Sequence, residues 1–89
     1  MQTKEVKVFT EMGLRARVAT IFVSKANEFK PTNVIIRYNE RQINGQSLLG
    51  VLSASITYGA TIKLITDGPK EVDAMRTLVE LIACGFRDY

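Results

Sequence analysis

The stretch Asn33-Val34-Ile35-Ile36-Arg37-Tyr38-Asn39-Glu40-Arg41-Gln42-Ile43-Asn44 decides the fold. Val34, Ile36 and Tyr38 share one face of a period-two pattern, which predicts a half-buried strand over 33–38. The polar pair Asn39-Glu40 reverses the chain into a second strand over 41–44, so the stretch reads as a β-hairpin. Toward the N-terminus, Val18, Phe22, Ala26 and Phe29 recur at helical spacing, with Ala19 and Val23 widening the stripe. This predicts an amphipathic helix from Arg15 to about Phe29, ended by Pro31. Before it, Lys4 to Thr10 places Val6 and Val8 on one pleat face and reads as the first strand.

On the other side of the hairpin, Asn44-Gly45 breaks the strand and Ser47-Leu48-Leu49-Gly50-Val51-Leu52-Ser53 follows. A serine in N-cap position, with apolar residues at i, i+1, i+3 and i+4, predicts a two-turn helix. Ala60 to Thr66 carries Ile62 and Leu64 on one face and reads as a fourth strand, stopped by Asp67-Gly68-Pro69. Pro69 suits a first helical position, and Glu71 and Asp73 suit the first turns. Val72, Met75, Val79 and Ile82 form the stripe of this third helix, with Gly85 able to cap it. The order is β-α-β-β-α-β-α over one domain, residues 1–89. One apolar stripe per helix predicts an α+β open-faced β-sandwich, a four-stranded antiparallel sheet with three helices on one face.

The composition, 46% apolar and 24% charged over 89 residues, is that of a globular chain with one small core. Its most informative count is the absence of histidine. That removes the imidazole base, the imidazole metal ligand, the Ser/His and Cys/His dyads and phosphohistidine chemistry. The single cysteine, Cys84, has no disulfide or thiolate-site partner, so the chain is expected to be cytoplasmic and metal-free. Cys84 itself reads as a small buried hydrophobe. The N-terminus has no apolar signal region, and no run could span a bilayer, so no membrane association is expected. The net charge of +3 is spread without a basic run and is mild evidence for an anionic partner.

Arg15 and Arg17 stand at the start of the first helix, the end where the macrodipole disfavours cations. Two readings compete there: tolerated surface arginines, or an anion site built with the free N–H groups. Ser47 likewise reads first as a helix cap, a role compatible with carrying a phosphate. A two-turn helix holding Leu48, Leu49, Val51 and Leu52 can bury about half its circumference, so one or two leucines are expected to face solvent as a docking patch. Asp67, Asp73 and Asp88 lack metal-ligand spacing, Gly45, Gly59 and Gly68 read as turn glycines, and no glycine-rich phosphate loop is present. Nothing implies a cofactor.

The segment Gly13-Leu14-Arg15-Ala16-Arg17-Val18-Ala19-Thr20 resembles the active-site segment of HPr, the phosphocarrier of the sugar phosphotransferase system. The family pattern there is Gly, aliphatic, His, Ala, Arg, Pro, Ala. Ser47 to Ser53 is similar to the regulatory serine segment of HPr proteins from Gram-positive bacteria, and the element order is also the family's. Arg15 stands where the family has its phosphorylated histidine, and Val18 where it has proline. The spacing from Arg15 to Ser47 is one residue longer than usual, through an insertion in the turn between Lys30 and Asn33. The pattern is similar to Crh-like members, which lack the histidine and keep the serine.

The resemblance implies a non-catalytic regulatory protein that cannot carry phosphohistidine. Ser47 would be phosphorylated by HPr kinase/phosphorylase, and the product would act as corepressor or adaptor in carbon catabolite regulation. It would bind a LacI-type transcription factor such as CcpA through Leu48, Leu49 and Leu52, with Arg17 a polar contact nearby. Arg15 has no family role to inherit; electrostatics suggest that it strengthens partner binding. The resemblance also implies that the two helix starts are close, with Arg15 and Arg17 on the surface that carries Ser47. Two alternatives stay open: an unmodified HPr-like domain that competes for HPr partners, and a small basic nucleic-acid-binding domain. The second lacks a basic stripe or aromatic platform, so no direct nucleic-acid contact is expected. A homodimer made by exchange of the first strand is also left open.

Overall fold

The computed structural model describes residues 1–8, 16–57 and 59–83. The elements run β1 (Gln2–Lys7), α1 (Ala16–Asn27), β2 (Asn33–Tyr38), β3 (Arg41–Asn44), α2 (Leu48–Ser53), β4 (Thr61–Asp67) and α3 (Glu71–Ala83). The four strands form one antiparallel sheet in the order β1-β4-β2-β3. The three helices cover one face, so the chain is an α+β open-faced sandwich.

The hairpin forms as its sequence predicts. Asn39 and Glu40 both adopt positive φ, 51° and 65°, the conformation a two-residue hairpin turn needs to match strand twist. β2 and β4 then pair in register, with Ile36 opposite Leu64 and Val34 opposite Thr66. Those side chains are buried beneath the helices together with Ile43 and Ile62. From α1, Ala19, Phe22, Val23 and Ala26 complete this core.

Four elements differ in their bounds from expectation, β4 among them, which runs Thr61–Asp67, one residue later than expected and with Asp67 inside the strand. β1 begins at Gln2 and closes at Lys7, with Val8 fully buried just beyond it, and residues 9 and 10 lie outside the described residues. As the sheet's edge strand, β1 pairs only with β4 and buries little. α1 ends at Asn27 because its last turn tightens: the N–H groups of Glu28, Phe29 and Lys30 donate to the carbonyls three residues back. α3 starts at Glu71, with Pro69 in the preceding turn.

The stripe of α3 is also rotated from the expected one. Ala74, Met75, Leu78, Leu81 and Ile82 are buried, while Val72 remains 54% exposed. Val72 lies over the β1 side of the sheet, where a shallow groove opens between α3 and the edge strand. Among the described residues no further strand lies beyond β1 to close it. Gly85 and Cys84 lie outside the described residues.

Candidate functional site

Ser47 caps α2 as its sequence position suggests. Its backbone is extended, its Oγ accepts a hydrogen bond from the Gly50 N–H at 3.2 Å, and its carbonyl receives the Val51 N–H at 3.0 Å. The side chain thereby satisfies one otherwise unpaired N–H of a six-residue helix, and the carbonyl accepts its first regular helical bond. Among the described residues none accepts the Ser47 O–H, so its proton remains available to an outside base. The residue is partly exposed.

The apolar patch beside it is larger than expected. Leu48, Leu49 and Leu52 are all exposed, at 39%, 76% and 38%, and only Val51 of the helix is buried. The reason is geometric: among the described residues α2 packs chiefly on α1 and on the edge strand β3. Val51 alone faces that contact. On α1, Thr20, Ile21, Ser24 and Lys25 line a shallow depression of about 220 Å³.

The segment leading into Ser47 is held by a knot of amides that sequence reading does not anticipate. The Gln46 side-chain amide donates to the carbonyls of Ala26 (3.1 Å) and Thr32 (2.9 Å). The Gln46 carbonyl accepts from Asn27 Nδ2 at 3.2 Å, and its N–H donates to Asn44 Oδ1 at 2.9 Å. Asn27 Nδ2 also donates to the Val23 carbonyl at 2.9 Å. Gly45 is fixed too: its N–H donates to the Val34 carbonyl, and a Cβ there would lie 2.8 Å from Val34 Cγ1. Nothing local marks the Gln46 side chain, because the partners of its amide lie 14 and 20 residues earlier in the chain.

This knot fixes which end of α1 Ser47 meets. Gln46 sits on Ala26 and Asn27, so Ser47 adjoins the C-terminal end of α1 and not its start. Arg17 is exposed in the first turn, ten residues from Asn27, or about 15 Å along the axis at 1.5 Å per residue. The basic residue of α1's last turn is Lys25, paired with Glu28 at 3.6 Å. Arg15 lies outside the described residues.

The turn that the resemblance marks as an insertion is built into the same knot. Thr32 is buried, its carbonyl takes the Gln46 amide, and its Oγ1 accepts the Lys70 N–H at 2.8 Å. Gly68 packs so closely on Thr32 that a Cβ there would lie 2.6 Å from Thr32 Cα. The start of α3, the turn at Thr32 and the Ser47 segment are thus one connected structure. At the other end of the α3 start, the Met1 α-amino group pairs with Glu71 at 2.7 Å. The Glu71 hydrogen bond raises the amine's pKa, and the same bond, joined by the Gly68 N–H, lowers the carboxyl's.

Among the described residues no cluster of His, Cys, Asp or Glu could hold a metal, and no helix is long and apolar enough to cross a membrane.

Residues 2–83 match the family described as PTS HPr component phosphorylation site. The chain is 39% identical over 82 residues to the HPr-like protein Crh of Halalkalibacterium halodurans, covering 92% of this chain and 96% of that one. The crystal structure of HPr-C-His from Thermoanaerobacter tengcongensis superposes with a TM-score of 0.95 at 28% identity, covering 100% of this chain and 99% of its own. Crh of Bacillus subtilis, a dimer with a swapping domain, superposes with a TM-score of 0.75 at 29% identity, over 96% and 97% of the two chains. Proteins of this kind are phosphocarriers and not enzymes in their own right. The sheet order, the capped serine helix and these matches agree: the chain belongs to the HPr family.

Proposed function

We propose that this protein is a regulatory, Crh-like member of the family that carries its signal on Ser47 and carries no phosphohistidine. The observation that supports this reading best is the Ser47 cap: a partly exposed serine whose O–H has no acceptor among the described residues, beside three exposed leucines, on a chain without histidine. An HPr kinase/phosphorylase would direct Ser47 Oγ onto the γ-phosphorus of ATP. The new O–P bond forms as the bond to ADP breaks, and the hydroxyl proton passes to a base of the kinase. The phosphoserine brings a charge of about −2 next to an apolar patch. A LacI-type transcription factor such as CcpA would read the two together, with Leu48, Leu49 and Leu52 as anchors and the protein acting as corepressor in carbon catabolite regulation.

Arg17, and Arg15 before it, would then serve a separate contact at the far end of α1. Because Arg17 stands about 15 Å along α1 from Asn27, which holds Gln46, we read it as leaving the phosphate unmasked. Both arginines are assigned to the partner's acidic groups. The swapping dimer of Bacillus subtilis Crh extends the proposal to a homodimer. Exchange of β1 would break one strand ladder, since β1 pairs only with β4, and sedimentation at two concentrations tests it.

The test is intact-mass analysis after incubation with HPr kinase and ATP. One added phosphate is expected, absent in Ser47→Ala. Enzyme I with labelled phosphoenolpyruvate is expected to leave the protein unlabelled, because a guanidinium stays protonated and non-nucleophilic. Stoichiometric label from phosphoenolpyruvate, or unchanged phosphorylation of Ser47→Ala, refutes the proposal.

A further inference from the structure

We infer that Gln46 is a positioning residue for phosphorylation of Ser47, an inference that rests on the preceding reading of Ser47 as the phosphoacceptor. Three of its polar groups are committed to holding the segment in place. The side-chain amide spans from the end of α1 to the extra turn, through Ala26 and Thr32, and the carbonyl is held by Asn27. The N–H closes a turn on Asn44. The next residue is the serine whose Oγ and carbonyl start α2. Gln46 therefore sets where the hydroxyl stands relative to α1.

The amide satisfies the carbonyls of Ala26 and buried Thr32 and so also supports the fold; what points to positioning is that these bonds converge on the residue next to the serine. A glutamine before an N-cap contributes little to a helix of six residues, and α2 already has its serine cap. Gln46 ties three separate segments to the backbone of one serine. An enzyme that phosphorylates a folded substrate meets a nucleophile already placed, so its binding energy is not spent on ordering the segment. Asn27, with both amide hydrogens committed and its Oδ1 buried without a partner, serves the same clamp from the α1 side.

Gln46→Met keeps the side chain's length and removes both amide donors. Its kinetics with HPr kinase and ATP are compared with the native protein's, while amide hydrogen exchange is followed at Gly50 and Val51. KM for the protein substrate is expected to rise about tenfold with kcat within about twofold, since the kinase must now order the segment itself. Exchange at Gly50 and Val51 is expected to quicken, with Ile36 and Leu64 in the sheet unchanged. A purely structural residue would lower the melting temperature without splitting KM from kcat.

Should Gln46→Met fail to fold, Asn27→Ser tests the same clamp from its other side, with the same direction expected. Native KM in either folded variant, or unchanged exchange at Gly50 and Val51, overturns the clamp while leaving Ser47 phosphorylation intact. A native protein that takes no phosphate overturns the Ser47 reading and this inference with it.

Discussion

Helices α2 and α3 are both rich in apolar residues, yet they use them oppositely. α3 lies over β1 and β4 and touches α1, and five of its thirteen residues are buried. α2 rests on α1 and the edge of β3, buries Val51, and turns three leucines outward. An apolar side chain stabilises the fold only where a second element removes it from water. The leucines of α2 have no such element among the described residues, and a contiguous apolar group left exposed points to a partner.

The largest expected effect separates the two helices directly. Leu78→Ala, fully buried in α3, should cost about 2–5 kcal/mol in urea unfolding. Leu49→Ala in α2 should cost under about 0.5 kcal/mol. Equal losses would show that the α2 patch is core after all. A second contrast lies in the glycines flanking Ser47. Gly45→Ala drives a methyl into Val34 and should cost about 1–3 kcal/mol. Gly50→Ala, inside α2 with its nearest neighbours at 3.4 Å, should gain about 0.5–1 kcal/mol of helix propensity. A stability loss in Gly50→Ala would mean that α2 is held more tightly than its exposure implies.

Ser47→Ala removes the cap on Gly50 N–H and should cost about 1 kcal/mol by thermal unfolding. An unaltered melting temperature would show that the bond is not formed in solution. The smallest effect concerns the α3 start. The Met1 amine has its pKa raised above the usual 8.0, so its share of the pair is present below that value and fades as pH rises through the folded value. The Glu71 carboxyl has its pKa lowered from 4.5, so its share is present above that value and fades as pH falls. The melting-temperature difference between native protein and Glu71→Gln should therefore be greatest between about pH 4.5 and 8.0 and shrink on either side. A difference flat in pH would remove the ion pair as its cause.

Much of this structure was legible before the fold was seen, and the reasons are local. The hairpin over 33–44 follows from alternation and a polar two-residue turn, and the observed strands match it residue for residue. The serine before four apolar residues marks the start of α2 through one side-chain bond to a backbone group three residues on. The α1 stripe appears because Ala19, Phe22, Val23 and Ala26 share a helical face whatever they pack against.

What the residues themselves determined, then, were periodicity, turns and caps, together with the loss of imidazole chemistry that follows from having no histidine. The tertiary structure alone decided everything that joins distant segments. It turned Leu48 and Leu52 outward along with Leu49, and left Val72 over an open sheet edge. It also brought Gln46 onto Ala26, Asn27 and Thr32, and set Ser47 at the opposite end of α1 from Arg17. Local patterns state which side chains share a face; which face is covered, and by what, depends on contacts between residues far apart in the chain, and no window of neighbouring residues contains them.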